Sequence, residues 1–328
     1  MNRKNTSQHP LGLSGLLIAA LFLIAFSGMS QAAKYKVGVS VPAADHGWTA
    51  GLLWWANKAV DEIRAKDKDV EFYVVAASSG TKQVGDVEDL MIKGINALVI
   101  LPHNPATLQK VIEEAYASGI YTVVVDRELA TPAQNIFIAG DNPGLGRVGA
   151  EWLAGEMKGS GNVVVIEGMQ IPINKQRVDA FNAVIARYPG IKVLDSQPAD
   201  WSTQKALAVM ENFLQKHPDI DAVWCQDDDM LKGVMQAIKE SGRSEIKTVL
   251  GGAGSKDIIK MIMEEDPVVR ATVTYNPSMV ASGVVLAVAG VKGEKVGNLY
   301  HTPSRVIIGA DLVVKGNADQ FYYPKAAF

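Results

Sequence analysis

Short runs of β-branched and aliphatic residues alternate with longer amphipathic segments through most of this 328-residue chain. The longer segments place apolar residues three and four positions apart, which is typical of helices that cover a sheet. Strands that alternate with crossover helices form parallel sheets. The runs predict ten strands, at residues 35–41, 70–76, 97–101, 121–125, 135–139, 162–167, 191–196, 222–225, 247–250 and 270–274. Because ten strands and this length suit about two domains, the sequence predicts an α/β protein with two parallel sheets.

The alternation weakens after Ala281. The remaining residues predict one helix to Val291, a loop at 292–298, and short strands around 305–308 and 312–314. Such a tail cannot bury a core of its own, so we expect it to pack onto the two domains.

Three Asn-Pro pairs predict the starts of helices. Asparagine is a good N-cap and proline suits the first helical position. The pairs are Asn104-Pro105, Asn142-Pro143 and Asn276-Pro277.

The first 32 residues differ in kind from the rest. Arg3 and Lys4 precede an apolar run from Leu11 to Phe26, and small residues follow it up to Ala32. This order is typical of a secretory signal peptide, since the run is shorter than the ~20 residues that span a bilayer. No cysteine follows the run to carry a lipid. The sequence therefore predicts a signal peptide at residues 1–32 and a soluble protein of the bacterial periplasm.

The charge and the cysteine count exclude several classes of protein. The 32 basic residues nearly balance 35 acidic ones, and no basic stripe marks a surface for nucleic acid. Cys225 is the only cysteine, so an intrachain disulfide and a four-thiolate metal site are both excluded. We expect a monomer with no nucleic-acid partner, no metal and no cofactor.

Two glycine-rich stretches resemble nucleotide-binding motifs. Gly144, Gly146 and Gly149 have the G-x-G-x-x-G spacing, but Asn142-Pro143 would start the helix before them. Glycines inside a helix do not form the turn that approaches a pyrophosphate, so the pattern indicates close helix packing. The stretch at residues 251–254 lacks the Gly-Lys-Ser/Thr order of a phosphate loop and predicts a turn.

Three consecutive acids, Asp227, Asp228 and Asp229, could suggest a calcium loop. Such a loop needs glycine and glutamate at its sixth and twelfth positions, where this chain has Lys232 and Ile238. We therefore expect the acids to cap a helix. The histidines have no metal-ligand spacing, and no nucleophile elbow is present, so a hydrolase is not expected.

Polar and aromatic residues follow several predicted strands, at the edge where open parallel sheets bind ligands. Aromatic rings pack on the C–H faces of a sugar, while carboxylates and guanidinium groups bind its hydroxyls. The sequence therefore predicts a sugar site at this edge. Its residues are Asp45, His46, Trp48, Asp126, Arg127, Arg177, Trp201, Asp227 and Tyr275.

The stretches around these residues resemble the type I periplasmic sugar-binding proteins of ABC transporters, and the ribose-binding branch most of all. The resemblance covers essentially the whole chain after the leader. It rests on VGVSVPAADHGW from Val37, VVVDRE from Val123, INKQRVDAF from Ile173, SQPADW from Ser196, VWCQDDDM from Val223 and ATVTYNP from Ala271.

The resemblance implies an α/β fold of two Rossmann-like lobes with parallel sheets, joined by a three-segment hinge and closing on one sugar. The crossovers would lie near Gly140, Tyr275 and Arg305. The N-terminal lobe would comprise residues 33–139 and 276–305, and the C-terminal lobe residues 140–275 and 306–328.

The resemblance also implies roles for single residues. Trp48 and Trp201 would sandwich the ligand, Asp126 and Arg127 would bind ring and anomeric hydroxyls, and Arg177 would supply a second guanidinium group. The other implied ligand positions are Ser40, Asp45, Asn174, Asp227 and Tyr275.

Two positions depart from the ribose-binding pattern. Asp227 stands where that branch has asparagine, and Ala253 stands where a loop supplies a carboxylate. A ribose receptor is therefore not expected, and Asp227 or Asp45 is the candidate to replace the lost acid.

We expect a receptor that captures a small neutral monosaccharide or polyol by lobe closure and delivers it to an ABC permease, without catalysis. Asp45, Asp126 and Asp227 against Arg127 and Arg177 give the expected pocket a charge of −1, which disfavours an anionic ligand. Two alternatives stay open: a sensor whose closed form docks on a chemoreceptor or histidine kinase, and an enzyme of sugar metabolism on the same fold.

Overall fold

A computed structural model of the protein describes residues 1–2, 33–295 and 302–328. Residues 3–32 of the predicted signal peptide at 1–32 lie outside the described residues, and so do residues 296–298 of the predicted loop at 292–298. Among the described helices, none is long and apolar enough to cross a membrane.

The described chain alternates strands and helices, as the sequence predicts. The strands are β1 (Tyr35–Pro42), β2 (Val70–Ala77), β3 (Ala97–Ile100), β4 (Tyr121–Val125), β5 (Ile136–Gly140), β6 (Ser160–Glu167), β7 (Gly190–Pro198), β8 (Ala222–Cys225), β9 (Thr248–Ala253), β10 (Val269–Thr274), β11 (Arg305–Ile308) and β12 (Leu312–Val314). The helices are α1 (Gly47–Lys66), α2 (Gly80–Ile92), α3 (Pro105–Ala117), α4 (Asn142–Glu156), α5 (Pro172–Ile185), α6 (Thr203–Lys216), α7 (Asp228–Ser241), α8 (Lys256–Met263) and α9 (Met279–Lys292), followed by a 3-10 turn at Ala318–Phe321.

The strands form two six-stranded sheets, one in each lobe. The first has the order β11-β5-β4-β3-β1-β2 and is parallel throughout. The second has the order β12-β10-β9-β8-β6-β7, and only its edge strand β12 runs antiparallel to its neighbour. Central strands such as β3 and β8 are buried along their whole length, because helices cover both faces of each sheet. The prediction of two mainly parallel sheets is confirmed.

The chain passes between the lobes three times: between β5 and α4, between β10 and α9, and between β11 and β12. The expected boundary at residue 305 is wrong for the last of these. Arg305–Ile308 pairs with β5 and completes the first sheet, so the crossing lies after Ile308. The paired segment RVII is rich in β-branched residues, which explains why it extends the sheet instead of linking the lobes.

Two of the three Asn-Pro pairs stand where a helix begins, at α3 and α4, and Asn104 is the one that caps its helix as predicted. Asn104 caps α3, and its side chain accepts a hydrogen bond from the amide of Thr107. Asp141 caps α4 instead of Asn142, since its carboxylate accepts from Gly144 N at 2.8 Å. Helix α9 begins only at Met279, because the side chain of Asn276 accepts from Ser278 N in a turn before the helix.

The glycines of the G-x-G-x-x-G pattern lie inside α4, where they permit close packing as the sequence indicates. A Cβ on Gly146 would lie 2.1 Å from the carbonyl oxygen of Arg177 in α5. A Cβ on Gly149 would lie 3.0 Å from the side chain of Leu250 in the sheet. Helix α4 therefore fits tightly between α5 and the second sheet.

Candidate functional site

The carboxyl ends of the two sheets enclose a cleft of about 350 Å³, a volume that includes space open to solvent. In the first lobe its wall follows β1 and β4, and in the second it follows β6, β7, β8, β9 and β10. The lining residues are His46, Trp48, Asp126, Arg127, Ile173, Arg177, Trp201, Asp227, Ala253 and Tyr275.

The cleft brings together seven of the ten residues predicted to bind ligand. They are Trp48, Asp126, Arg127, Arg177, Trp201, Asp227 and Tyr275. The other three, Ser40, Asp45 and Asn174, do not line it.

Each of these three residues has a local structural partner instead. Ser40 is fully buried within β1 and accepts a hydrogen bond from Gln83 Nε2 at 3.1 Å. The Asp45 side chain is 71% exposed and accepts from Thr49 at 2.9 Å at the start of α1. Asn174 accepts from Gly168 N and donates to Glu167, which fixes the loop before α5.

Three lining residues were not among the ten implied ligand positions. His46 belongs to the sugar site predicted at the sheet edge, but the resemblance gave it no role; Ile173 begins the stretch that carries Arg177. Ala253 was identified only as a departure from the ribose-binding pattern. No polar or aromatic signal marks Ile173 or Ala253, because a ligand contact made by an aliphatic side chain resembles an ordinary core contact.

A chain of hydrogen bonds crosses the floor of the cleft from the second lobe to the first. Arg177 Nε donates to Asn142 Oδ1 at 2.8 Å, and Asn142 Nδ2 donates to the Tyr275 hydroxyl at 3.1 Å. Tyr275 in turn donates to Asp126 Oδ1. Burial raises the pKa of Tyr275, and the nearby Asp126 carboxylate raises it further, so the phenol stays protonated as a donor.

Tyr275 also positions the aromatic and cationic groups around it. The Arg177 guanidinium lies 4.4 Å from the centre of its ring, as in a cation–π contact. The Trp48 indole donates to the Tyr275 carbonyl oxygen at 2.8 Å. These contacts hold Trp48 and Arg177 in fixed orientations against the same residue.

Two residues that line the cleft have a buried N–H group with no hydrogen-bond acceptor among the described residues. One group is Nε of Arg127, whose Nη1 is already bonded to the carbonyl oxygens of Pro102 and His103. The other is the indole Nε1 of Trp201. A buried donor without an acceptor costs about 1–3 kcal/mol, so the Arg127 N–H suits a ligand that brings an acceptor oxygen, whereas the Trp201 N–H lies against Gly168.

Asp227 caps α7 and also faces the cleft. Its Oδ1 accepts from Asp229 N at 2.8 Å and from Met230 N at 3.4 Å, which confirms the capping interpretation of the acidic run. Burial raises the pKa of Asp227 to about 6, with a further contribution from Asp229. Its neighbour Asp228 accepts from Gly252 N and Ser255 N, and thereby fixes the loop that carries Ala253.

The expected pocket charge of −1 is wrong, because Asp45 lies outside the cleft. With both carboxylates ionised, Asp126 and Asp227 balance Arg127 and Arg177. Electrostatic repulsion therefore gives no argument against an anionic ligand. In the part of the chain that the structure describes, no group of His, Cys, Asp or Glu side chains is placed to hold a metal ion.

Comparisons with known proteins match most of the chain. A family profile described as a periplasmic binding protein domain matches residues 37–295. The ribose import binding protein of Bacillus subtilis is 29% identical over 83% of this chain and 87% of its own length. The D-allose-binding periplasmic protein of Escherichia coli is 30% identical over 80% of this chain and 88% of its own.

A solved structure shows the same architecture. It is an ABC transporter solute-binding protein from Mycobacterium smegmatis with bound glycerol. It superposes with a TM-score of 0.77 and 29% sequence identity, over 89% of this chain and 98% of its own.

Proposed function

This chain belongs to the periplasmic binding protein family, and from that premise we propose that it captures a small neutral sugar or polyol and delivers it to the permease of an ABC importer. The relatives named above import ribose, bind D-allose or hold glycerol. All three compounds are neutral and rich in hydroxyl groups. The charge of the cleft does not exclude an anionic ligand. The similarity to these three relatives is therefore what favours a neutral one.

The observation that carries the proposal is one cleft built from the strand ends of both lobes. Its wall combines two indole rings with two carboxylates and two guanidinium groups. Aromatic faces pack on the C–H groups of a sugar, and the charged groups bind hydroxyls as acceptors and donors. The buried Nε–H group of Arg127 has no hydrogen-bond acceptor among the described residues, and a hydroxyl oxygen is an acceptor of the kind it lacks.

Lobe closure is the proposed mechanism of capture. Three crossings join the lobes, and such hinges permit rigid-body opening. A ligand that contacts both walls stabilises the closed form, since it binds that form better than the open one. The permease then recognises the closed form, and no bond is made or broken. The proposed location is the periplasm, in agreement with the leader pattern of residues 1–32.

A thermal-shift screen of the purified mature chain tests this function. The panel comprises aldopentoses, hexoses, furanose-rich sugars, tetritols, pentitols and inositols. A ligand at 100 times its dissociation constant adds about 2.7 kcal/mol, which raises the midpoint by roughly 5–10 °C. A shift with one stereochemical group supports the proposal. No shift across the panel, from folded protein free of co-purified ligand, contradicts it.

Arg127→Ala tests the site itself. Loss of one member of a buried charged network costs about 2–5 kcal/mol, so we expect at least a thirtyfold rise in the dissociation constant by calorimetry. Arg147→Ala is the matched control, because Arg147 is half-exposed on α4 and pairs with Glu151 on the same helix, outside the cleft. Unchanged affinity in Arg127→Ala would exclude this cleft as the binding site.

A further inference from the structure

Ala253 ends β9, a central strand of the second sheet, and lines the cleft between two polar neighbours. Asp227 follows β8 on one side, and Tyr275 follows β10 on the other. Both neighbours bring polar side chains to the cleft, whereas Ala253, a residue only 3% exposed, has a methyl group there. The floor of the cleft is therefore apolar at this one strand end.

The backbone at Ala253 has a conformation that favours glycine. Its φ is +79°, in the left-handed region where a Cβ costs about 1 kcal/mol or more. Gly251, Gly252 and Gly254 surround it, yet the position itself carries a side chain. Strain of this kind is retained where the surrounding structure fixes it, often at ligand sites.

The surrounding contacts do fix this loop, and with it the direction of the methyl group. The Asp228 carboxylate accepts from Gly252 N at 2.9 Å and from Ser255 N at 2.6 Å. Tyr275 N donates to the Ala253 carbonyl oxygen at 3.1 Å. The methyl group consequently cannot turn away from the cleft to make room for water.

The adjacent polar groups are partly engaged by other residues, which leaves one oxygen of Asp227 as the acceptor nearest to this methyl group. The Tyr275 hydroxyl already donates to Asp126 and accepts from Asn142. One oxygen of Asp227 is engaged by two amides of α7. A ligand hydroxyl here would exchange its water for an apolar contact, which is unfavourable.

We propose that Ala253 is a specificity-determining residue, and that the cognate ligand is a sugar or polyol that presents a C–H, CH2 or methyl edge to it in place of a hydroxyl. A singly deoxygenated compound is then bound at least as well as its fully hydroxylated parent. This inference rests on the proposed function and narrows its substrate class.

The test compares matched pairs by isothermal titration calorimetry. The pairs are D-ribose with 2-deoxy-D-ribose, D-galactose with 6-deoxy-D-galactose, L-mannose with L-rhamnose, and D-glucose with its 2-deoxy and 6-deoxy forms. For wild type, we expect at least one pair in which the deoxy compound binds as tightly as its parent or more tightly. If the parent binds more tightly in every pair that binds, the inference is overturned.

Two variants then assign the preference to Ala253. Ala253→Ser adds a hydroxyl, and we expect it to shift the ratio of the two affinities at least fivefold toward the parent compound. Ala253→Gly relieves the backbone and admits water, and we expect a shift of at least threefold in the same direction with no loss of thermal stability. If Ala253→Ser fails to fold, the glycine variant decides alone.

An unchanged ratio in every folded variant overturns the role of Ala253 while leaving the proposed function intact. Absence of binding by any of these sugars, and by any compound of the wider screen, contradicts the proposed function itself. The two failures are therefore distinguishable.

Discussion

Tyr275 has the largest number of roles among the residues of the cleft. Its hydroxyl joins Asn142 to Asp126, its ring contacts the Arg177 guanidinium, and its carbonyl oxygen accepts from Trp48. It also stands at the second crossing between the lobes, directly after β10. A single residue, through its side chain and its backbone carbonyl, thus couples the ligand-binding groups of one lobe to those of the other.

Tyr275→Phe removes the hydroxyl and keeps the ring. Asp126 then loses a donor and Asn142 an acceptor in a buried setting, so we expect a loss of about 1–3 kcal/mol in the free energy of unfolding, together with weaker ligand binding. Tyr323→Phe is the control, because Tyr323 is 46% exposed. Urea denaturation of both variants measures the difference, and equal stabilities would show that the hydrogen-bonded chain contributes nothing.

The raised pKa of Asp227 predicts that the stability of the protein depends on pH. Burial and then Asp229 raise its pKa from the ordinary 3.8 to about 6, whereas His46 from the other lobe opposes the shift. The folded state therefore binds the Asp227 proton more tightly than the unfolded state does. The protonated carboxyl group contributes stability below pH ~4, and this contribution is lost as pH rises through 6.

Asp227→Asn keeps a capping side chain and removes this titration. Relative to the variant, wild type should lose up to about 3 kcal/mol of unfolding free energy between pH 4 and pH 7. Urea denaturation at several pH values measures the difference between the two proteins, in which the titration of other groups cancels. A constant difference across this range would contradict a raised pKa.

At the scale of the elements, the contact between α4 and α5 positions the cleft. Asn142 stands at the start of α4 and Arg177 lies on α5, and their hydrogen bond requires the helices to approach closely. Gly146 permits that approach, since a Cβ there would meet both the carbonyl of Arg177 and the amide of Phe181. Packing between two helices therefore decides where a ligand-binding guanidinium lies.

Gly146→Ala and Gly155→Ala test this contact within one helix. At Gly146 the added methyl would lie 2.1 Å from a backbone oxygen, so we expect a loss of about 2–3 kcal/mol in unfolding free energy and weaker ligand binding. At Gly155 no described atom lies within 4 Å of the added carbon, and alanine favours the helix by up to about 1 kcal/mol. Similar unfolding midpoints for the two variants in urea would contradict the proposed role of Gly146.

At the scale of the whole molecule, the lobes touch directly across the cleft. The amide of Trp48 at the start of α1 donates to Asp229 Oδ2 at 3.2 Å, and Asp229 lies at the start of α7 in the other lobe. The tail of the second lobe also reaches the first, since Phe328 lies against Gly51 and Tyr323 against Trp55. The lobes of this structure are therefore closed on each other.

Gly47→Ala tests whether closure determines affinity. A Cβ on Gly47 would lie 2.5 Å from Asp229 Oδ1, so the lobes could not close fully without breaking the bond to Trp48. We expect at least a tenfold rise in the dissociation constant and a larger radius of gyration with ligand by small-angle scattering. Gly85→Ala on α2, where no described atom lies within 4 Å, is the control. Wild-type affinity in Gly47→Ala would show that this contact does not limit closure.

The sequence by itself determined the strands, the order of helices and strands, and most of the chemistry at the sheet edges. These features depend on local patterns, since side-chain periodicity and strand-end position are properties of neighbouring residues. Trp48, Asp126, Arg127, Arg177, Trp201, Asp227 and Tyr275 were predicted on that basis and do line one cleft.

Only the tertiary structure decided which side chains at those edges face the cleft. Asp45 and Asn174 have suitable chemistry but bond to residues near them in sequence, while Asn142, predicted as a cap, bonds across the lobe to Arg177 and Tyr275. The left-handed backbone of Ala253 and the pairing of Arg305–Ile308 with β5 were likewise invisible in the sequence. Each of these outcomes is a competition between a local partner and a distant one, and the distant partner exists only once the chain has folded.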